Sequence, residues 1–473
     1  MAPHTAPRTA PDAALDAPPR LLQRAHLPFA IGSVALVTLG AFENRAVLTV
    51  LPTVADHLDG LWLFGAAAAA PLISFVVATT VAGSWSDHRG PVPVLYAGMG
   101  LFVAGELLMG LAPAMVVFVA GRLVGGLAEG LLDVGLTVLV ARALPARLRP
   151  KIFATFAAAW VLPSLLGPSV AGLIAEQVHW RAVFLVGIGL LVPVFVFLRP
   201  ALTRVGRPAS EPLEPVVTDS GSRSATQWAV LAALGLAALT AGASLVTRTG
   251  VPRALGVLML LAALAALVPA LRAILPAGTL RGAPGIPALA LLRGLLGAAF
   301  GATGGLIPLM LTEVHGYGPA TAGVSLTITG LFWAAGSQVQ GLAVTQRRTS
   351  VVTRLRVGFL LVATGVAGPA LLAVGAVPTW AGLGVWAVAG VGMGLSSPTI
   401  STHVLTLSTP ADQGRNSAAT FLAPSVAQAV AYAVSGAAIA WTSPRPGGTV
   451  FGLLMAGSVA LAATGALVAP RAR

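Results

Sequence analysis

Five of the ionisable side chains inside apolar runs of this sequence fall into two groups. Glu43 and Arg45 flank Asn44 in GAFENRAVLTVLP (40–52), and Arg122, Glu129 and Asp133 share GRLVGGLAEGLLDVGL (121–136) with Gly126. An ionised group at the centre of a bilayer costs about 2.5–3.5 kcal/mol on insertion scales. Such groups therefore face a bundle interior or a wet cavity, where they carry protons or substrate. On a helix, Glu43 and Arg45 point about 200° apart. They do not pair with each other, and each needs a partner from another helix, water or the interface. Arg122, Gly126, Glu129 and Asp133 instead stay within roughly 60° of one another, on a stripe about 16 Å long. A glycine on that stripe lets another helix approach closely or leaves room for a ligand. Two readings fit the stripe: an ion-pair ladder locking one helix to its neighbours, or a proton or substrate path. The second is favoured because intramembrane ionisable residues are functional by default. Glu106 and Glu313 fall near the ends of apolar runs, where solvation alone accounts for them.

The elements that position these groups follow from composition. The 473 residues are 56% hydrophobic and 9% charged, with mean hydropathy +0.88. A soluble domain is about a quarter charged, so the chain reads as a polytopic, all-α membrane protein. Cysteine is absent, which excludes disulfides and thiolate metal sites. At about 20 apolar residues per crossing, the sequence predicts 14 transmembrane helices: 28–54, 61–85, 92–112, 114–141, 152–176, 180–199, 227–247, 254–273, 286–312, 319–344, 356–377, 380–407, 416–441 and 449–470. The domain organisation is a flexible cytoplasmic tail (1–26), an N-terminal six-helix bundle (27–200) and a cytoplasmic linker (201–226). An inserted helix hairpin (227–273), a second linker (274–285) and a C-terminal six-helix bundle (286–470) follow. With the N-terminus inside, 21 of the 28 lysines and arginines fall in cytoplasmic segments. This is the positive-inside pattern, with both termini cytoplasmic in the cell membrane. The net charge of +13 thus orients the chain in a bilayer and calls for no nucleic acid. Tryptophans 62, 85, 180, 228, 380 and 441 fall near predicted helix ends, as an interfacial belt requires.

The two bundles resemble each other. LGPSVAG (166–172) in the fifth helix matches LAPSVAQ (422–428) in the thirteenth, and each follows an ATF triplet, at 154–156 and 419–421. Upstream stand the glycine pairs Gly126/Gly130 and Gly390/Gly394, 24 and 25 residues before ATF. Repeated halves enclose a substrate site at their interface near the midplane, exposed alternately to either side. Trp160, Phe300 and Trp333 lie deep in their spans and are candidates to line that site or to pack in the core. Glycines 294, 297, 301, 304 and 305 serve helix packing. At the second helix–helix junction, GSWSDHRGPVPVL (83–95), Asp87 opposes its own helix dipole. It calls for a compensating positive group, either Arg89 or the N-terminus of a neighbouring helix, and Gly90 permits the sharp turn.

These residues resemble the major facilitator superfamily, and within it the 14-helix drug:proton antiporters, over nearly the whole chain. GSWSDHRGPVPVL resembles the loop 2–3 signature, with Gly83, Asp87, Arg89 and Gly90 in the gating segment. It departs from the signature at His88, Pro91 and Val92, where basic residues are usual. Arg122 followed by Gly126 resembles the proton-transfer pattern of the fourth helix. Gly167, Pro168 and Gly172 resemble the antiporter signature of the fifth, with Pro163 and Ala171 replacing glycines; a Gly-Pro pair suits a hinge. Glu43 stands nine residues before Pro52, where the family carries an acid.

The resemblance implies a secondary transporter: proton-coupled export of hydrophobic or cationic small molecules, of the multidrug type that confers antibiotic resistance, by alternating access. In this reading Glu43, Arg122, Glu129 and Asp133 couple protons, with Arg122 stabilising ionised Glu43. Arg45, Trp160, Phe300 and Trp333 contact substrate. The alternatives are a dedicated exporter of one metabolite or lipid, or a nutrient importer. No metal cluster, nucleotide loop or nucleophile constellation supports an enzyme. Substrate, protons and bilayer are the partners expected, with no cofactor and no metal, and a monomer suffices.

Because the chain is cysteine-free, single cysteines test the orientation directly. In intact cells, Ala376→Cys should react with a membrane-impermeant maleimide, whereas Arg473→Cys should react only after permeabilisation.

Overall fold

A computed structural model describes residues 27–145, 148–149, 152, 155–156, 159–205, 220–247, 250–409, 413–442 and 446–473. The tail at 1–26 and most of the expected linker, 206–219, lie outside the described residues, as do Ala154 of the first ATF triplet and the side chain of Asp87.

The helices follow the apolar runs. The first bundle comprises α1 (Leu27–His57), α2 (Phe64–Arg89), α3 (Pro91–Gly110), α4 (Met115–Ala143), α5 (Val161–Gln177) and α6 (Trp180–Val205). The hairpin is α7 (Ser220–Leu245) and α8 (Val251–Ile274). The second bundle comprises α9 (Ile286–Glu313), α10 (Pro319–Gly341), α11 (Val351–Ala373), α12 (Thr379–Leu407), α13 (Gln413–Trp441) and α14 (Gly448–Val468). Among the described residues, twelve of these are long and apolar enough to cross a membrane. The other two are α5, with 17 described residues, and α10, which is diluted by Gly, Ser, Thr and Gln. Helix α6 runs through Pro200 to Val205, past the bundle boundary expected at 200. Two sharp breaks rest on glycine: Gly90 at φ +79° separates α2 from α3, and Gly250 at φ +72° opens α8, both in a region that side chains with a Cβ rarely adopt.

Close approach of small residues builds each bundle, since lipid-exposed helices gain little from burying apolar surface against one another. Gly126 and Gly130 admit α2: a Cβ at Gly126 would meet the carbonyl of Pro71 and the hydroxyl of Ser74, and one at Gly130 would meet Ala78 at 2.6 Å. In the second bundle Gly390 and Gly394 admit α10 in the same manner, at Thr329 and Trp333. The glycine pairs of the repeat therefore do the same work, binding the fourth helix of each half to the second. The glycines of α9 form a packing stripe on α13: Gly294 meets Ala423, Gly297 meets Pro424, Gly301 meets Gln428 and Gly305 meets Tyr432. Gly304 points elsewhere, towards Leu326 and Trp386. At Gly297–Gly301 the helix widens into a π-helical turn, which the sequence does not announce.

The halves meet crosswise, the fifth helix of each against the second of the other. Between α5 and α10, a Cβ on Gly172 would lie 2.6 Å from the Ala320 nitrogen, and one on Gly323 2.6 Å from the Pro168 carbonyl oxygen. The Ser169 and Thr327 hydroxyls are 3.3 Å apart, and the Ala320 N–H donates to Glu176 Oε1 at 2.9 Å. Between α2 and α13, Gly65 and Gly436 meet backbone to backbone. Both seams lie towards the face of the bundle where α1 ends. Hairpin helix α7 packs against α2 and α13, with α8 outside it.

The tryptophan belt needs one correction. Trp380 and Trp441 are exposed at helix ends, but Trp180 is buried. It packs edge-on to Phe118 and Phe184, under the Arg181 guanidinium, whose Cζ lies 4.2 Å from the indole centroid.

A bulky residue in the α5–α10 seam should open this face. Thr327→Cys should label slowly with impermeant maleimide applied to the side where α1 ends, and adding Gly172→Leu should accelerate that labelling severalfold.

Candidate functional site

Helix α1 is the wall between two cavities of opposite character. One, of about 400 Å³, lies inside the first bundle and is lined by Glu43, Glu106, Glu129 and Asp133 with Phe75, Phe102 and Trp160. The other, of about 200 Å³, lies between the bundles and is lined by Asn44, Arg45, Arg293, Phe300, Trp333 and Trp386, among others. The angular separation of Glu43 and Arg45 on the helix thus sends the acid to one cavity and the base to the other.

Glu43 Oε1 accepts a hydrogen bond from Arg122 Nη1 at 3.1 Å, the two side chains being 17% and 5% exposed. Arg122 Nε donates in addition to the carbonyl oxygen of Ala67 on α2, at 3.2 Å. One guanidinium therefore ties α1, α2 and α4 together. Its five donors in a fixed fork make arginine suited to such a junction. At this burial the Coulomb attraction is little screened, and stranding either partner is costly. Glu129 and Asp133, one and two turns further along α4 than Gly126, open onto the same cavity, as does Trp160. Glu106 belongs with them: it is 3% exposed rather than solvated at an interface. Its neighbour is Gly187 of α6, where a Cβ would lie 3.5 Å from the carboxyl group. A carboxylate cluster of this kind can take up and pass on protons.

In the cavity between the bundles, Arg45 Cζ lies 5.6 Å from the centroid of the Trp333 ring, a cation–π contact from one half to the other. Phe300 stacks on Trp386 (centroids 5.1 Å, 22° between planes) and meets Trp333 edge-on at 5.9 Å. Arg293 donates through Nη1 to the Ser397 carbonyl at 2.9 Å and to its hydroxyl at 2.6 Å. Gln428 donates to the Tyr432 hydroxyl, which donates to the Gly301 carbonyl inside the π-helical turn.

Of the four residues expected to contact substrate, three gather here: Arg45, Phe300 and Trp333. Trp160 does not; it lines the acidic cavity and is 37% exposed. Sequence reasoning passed over Arg293, Trp386, Gln428 and Tyr432. The available signal was Arg293, a third intramembrane arginine, and Gln428, which replaces Gly172 in the repeat.

Among the described residues, none of those assigned to gating lines either cavity. Gly167 contacts Phe42 and Arg45 of α1, and Pro168 and Gly172 form the α5–α10 seam. At the α2–α3 break, Arg89 is exposed and Gly83 has open space where a Cβ would be. At the C-terminus of α2, Arg142 of α4 donates to the Ser86 carbonyl at 3.3 Å; the side chain of Asp87, for which a compensating group is expected, lies outside the described residues. A guanidinium there complements the negative end of the helix dipole.

Comparison with known proteins places this arrangement among transporters. Residues 34–432 match the family profile described as Major Facilitator Superfamily. An uncharacterized MFS-type transporter of Mycobacterium tuberculosis is 27% identical over 208 residues, 44% of this chain and 30% of that protein. The multidrug transporter protein MdtP of Bacillus subtilis is 23% identical over 167 residues, 35% of this chain and 31% of that protein. The multidrug efflux pump SdrM of Staphylococcus aureus is 23% identical over 168 residues, 36% and 38% respectively. The chain thus aligns with about a third of the length of these relatives. Among solved structures, an auto-inhibited POT family peptide transporter superposes with TM-score 0.67 at 15% identity, covering 95% of this chain and 96% of that one. A peptide transporter POT in complex with sulfate gives 0.63 at 17%, covering 94% of each. At these identities the likeness is one of fold.

Arg122→Leu should destabilise the protein by about 3–5 kcal/mol, because it strands a buried carboxylate. Adding Glu43→Gln should restore part of that loss; thermal unfolding in detergent reads both.

Proposed function

The chain belongs to the Major Facilitator Superfamily, and from that premise we propose that it is a proton-coupled exporter of hydrophobic small molecules, working by alternating access with fourteen membrane spans and both termini in the cytoplasm. The observation that carries this reading is the Glu43–Arg122 pair on the wall of a cavity holding three further carboxylates. Protonation of Glu43 removes the charge that Arg122 holds, and so loosens the junction of α1, α2 and α4. Helix α2 is also one side of the α2–α13 seam, so the proton site and a seam between the halves share an element. Glu106, Glu129 and Asp133 provide the relay to and from Glu43. With the N-terminus inside, the face that carries the two glycine seams is the external one.

Multidrug pumps among the relatives support export over import. A second reading is favoured by one observation: the acidic cavity also carries Phe75, Phe102 and Trp160, which suits a hydrophobic cation competing with protons for the same carboxylates.

In proteoliposomes with an imposed pH gradient, efflux of an accepted substrate should follow the gradient. Glu43→Gln should abolish gradient-driven movement and retain substrate exchange at equal pH. Full gradient-driven efflux by that variant would remove Glu43 from the proton site.

A further inference from the structure

The cavity between the bundles is rich in donors and positive charge and poor in acceptors. Arg45 and Arg293 both line it, and none of its lining residues is an aspartate or glutamate. Arg45 Nε is buried without a hydrogen-bond partner among the described residues, and so is the indole Nε1 of Trp386. A buried donor left unmatched costs about 1–3 kcal/mol, more when it is charged. Both atoms are closed off from the cavity space itself, so what faces a ligand is the rest of these two lining side chains, chiefly the positive charge of Arg45. Arg45 is met by the face of Trp333, which attracts a cation but accepts no conventional hydrogen bond. Arg293 is held in place by Ser397, which fixes the direction of its fork while leaving the guanidinium on the cavity wall.

The rest of the lining describes the ligand's other end. Phe300, Trp333 and Trp386 form a continuous aromatic surface, and Leu48, Leu326 and Met393 add apolar contact. The volume of about 200 Å³ equals roughly six or seven waters at about 30 Å³ each, which suits a compact ring system rather than a long chain. The four acids that would attract a cation are on the far side of α1.

Resting on the reading of this chain as an exporter, we infer that its substrate is a free amphipathic acid: a carboxylate or sulfonate on a compact aromatic or apolar body, its anionic group held by Arg45 and Arg293 and its body against Phe300, Trp333 and Trp386. A planar fork against a carboxylate is a charge-assisted contact that lysine does not reproduce bidentately. Cation export through the acidic cavity predicts the opposite charge preference.

Binding to the full chain in phosphatidylcholine nanodiscs, at one pH and without a gradient, decides between them. The probes are 2-naphthoate, the neutral 2-naphthamide and the cationic 2-naphthylmethylammonium, followed by calorimetry and tryptophan fluorescence. The expected result is naphthoate binding at least tenfold tighter than the amide, with the cation weakest. Arg45→Gln and Arg293→Gln should each erase most of that ratio while leaving amide binding within a fewfold, and Arg45→Lys should recover part of it. A ratio near one in the unmodified protein, or tighter binding of the cation, overturns the proposal whether or not the variants fold. An unchanged ratio in folded Arg45→Gln and Arg293→Gln also overturns it. Competition by added phosphatidylglycerol against naphthoate would assign the site to a lipid headgroup and overturn the free-acid assignment. The assay needs no proton coupling. Loss of the anion preference therefore leaves proton-driven export standing, whereas a preserved preference without gradient-driven transport retains the anion site and removes the exporter reading.

Discussion

A charge inside a bilayer must have a partner or an aqueous space, and most of this architecture can be read as the working out of that constraint. Arg122 satisfies it with one carboxylate and one backbone carbonyl, and in doing so fixes three helices of the first bundle relative to one another. Glu106, Glu129 and Asp133 share a cavity, while on the wall of the other Arg293 bonds to Ser397 and Arg45 lies over the Trp333 ring. The close packing around them follows from the same condition. Helices that carry charge inward have few large apolar side chains left with which to grip their neighbours, and glycine contacts take over that task.

The internal repeat gives this pattern a second layer. In the first half, the first helix supplies the acid and the fourth the arginine, as Glu43 and Arg122. In the second half, the first helix supplies Arg293 and the fourth supplies Ser397. The same two helices are joined by a polar contact in each half, with the arginine on opposite partners. The halves thus share geometry and differ in charge: an acid-lined space in one, and in the other a guanidinium on the wall of the cavity between the bundles. Position 172 and its counterpart 428 diverge similarly, Gly172 admitting a neighbouring backbone and Gln428 filling space at the central cavity.

Much of the fold was legible in the sequence, because helix length, apolar runs and glycine pairs are local features. The angle between Glu43 and Arg45 was legible for the same reason: it depends only on helical pitch. What each faces was not, since that depends on which helices stand on either side of α1. Glu106 shows the limit well. Its position near the end of an apolar run suggests solvation, yet packing against α6 buries it beside the other acids. Trp160 shows the converse, since depth along a helix says nothing about which of two cavities the ring enters. The contact of Arg142 reaches a residue 56 positions away in sequence, Ser86, beyond the reach of any local pattern.

The placement of Glu43 and Arg45 on one helix has a mechanical consequence. Two residues of helix separate them by only about 3 Å along the axis, so α1 acts as a spindle with two arms on nearly opposite sides. A turn about its long axis that draws Glu43 away from Arg122 shifts Arg45 over the face of Trp333, in the opposite tangential direction. In such a turn the two arms move together. Torsion of a single rod is thereby enough to connect the state of the acid on one side with the position of the base on the other, without any chain of contacts running between them.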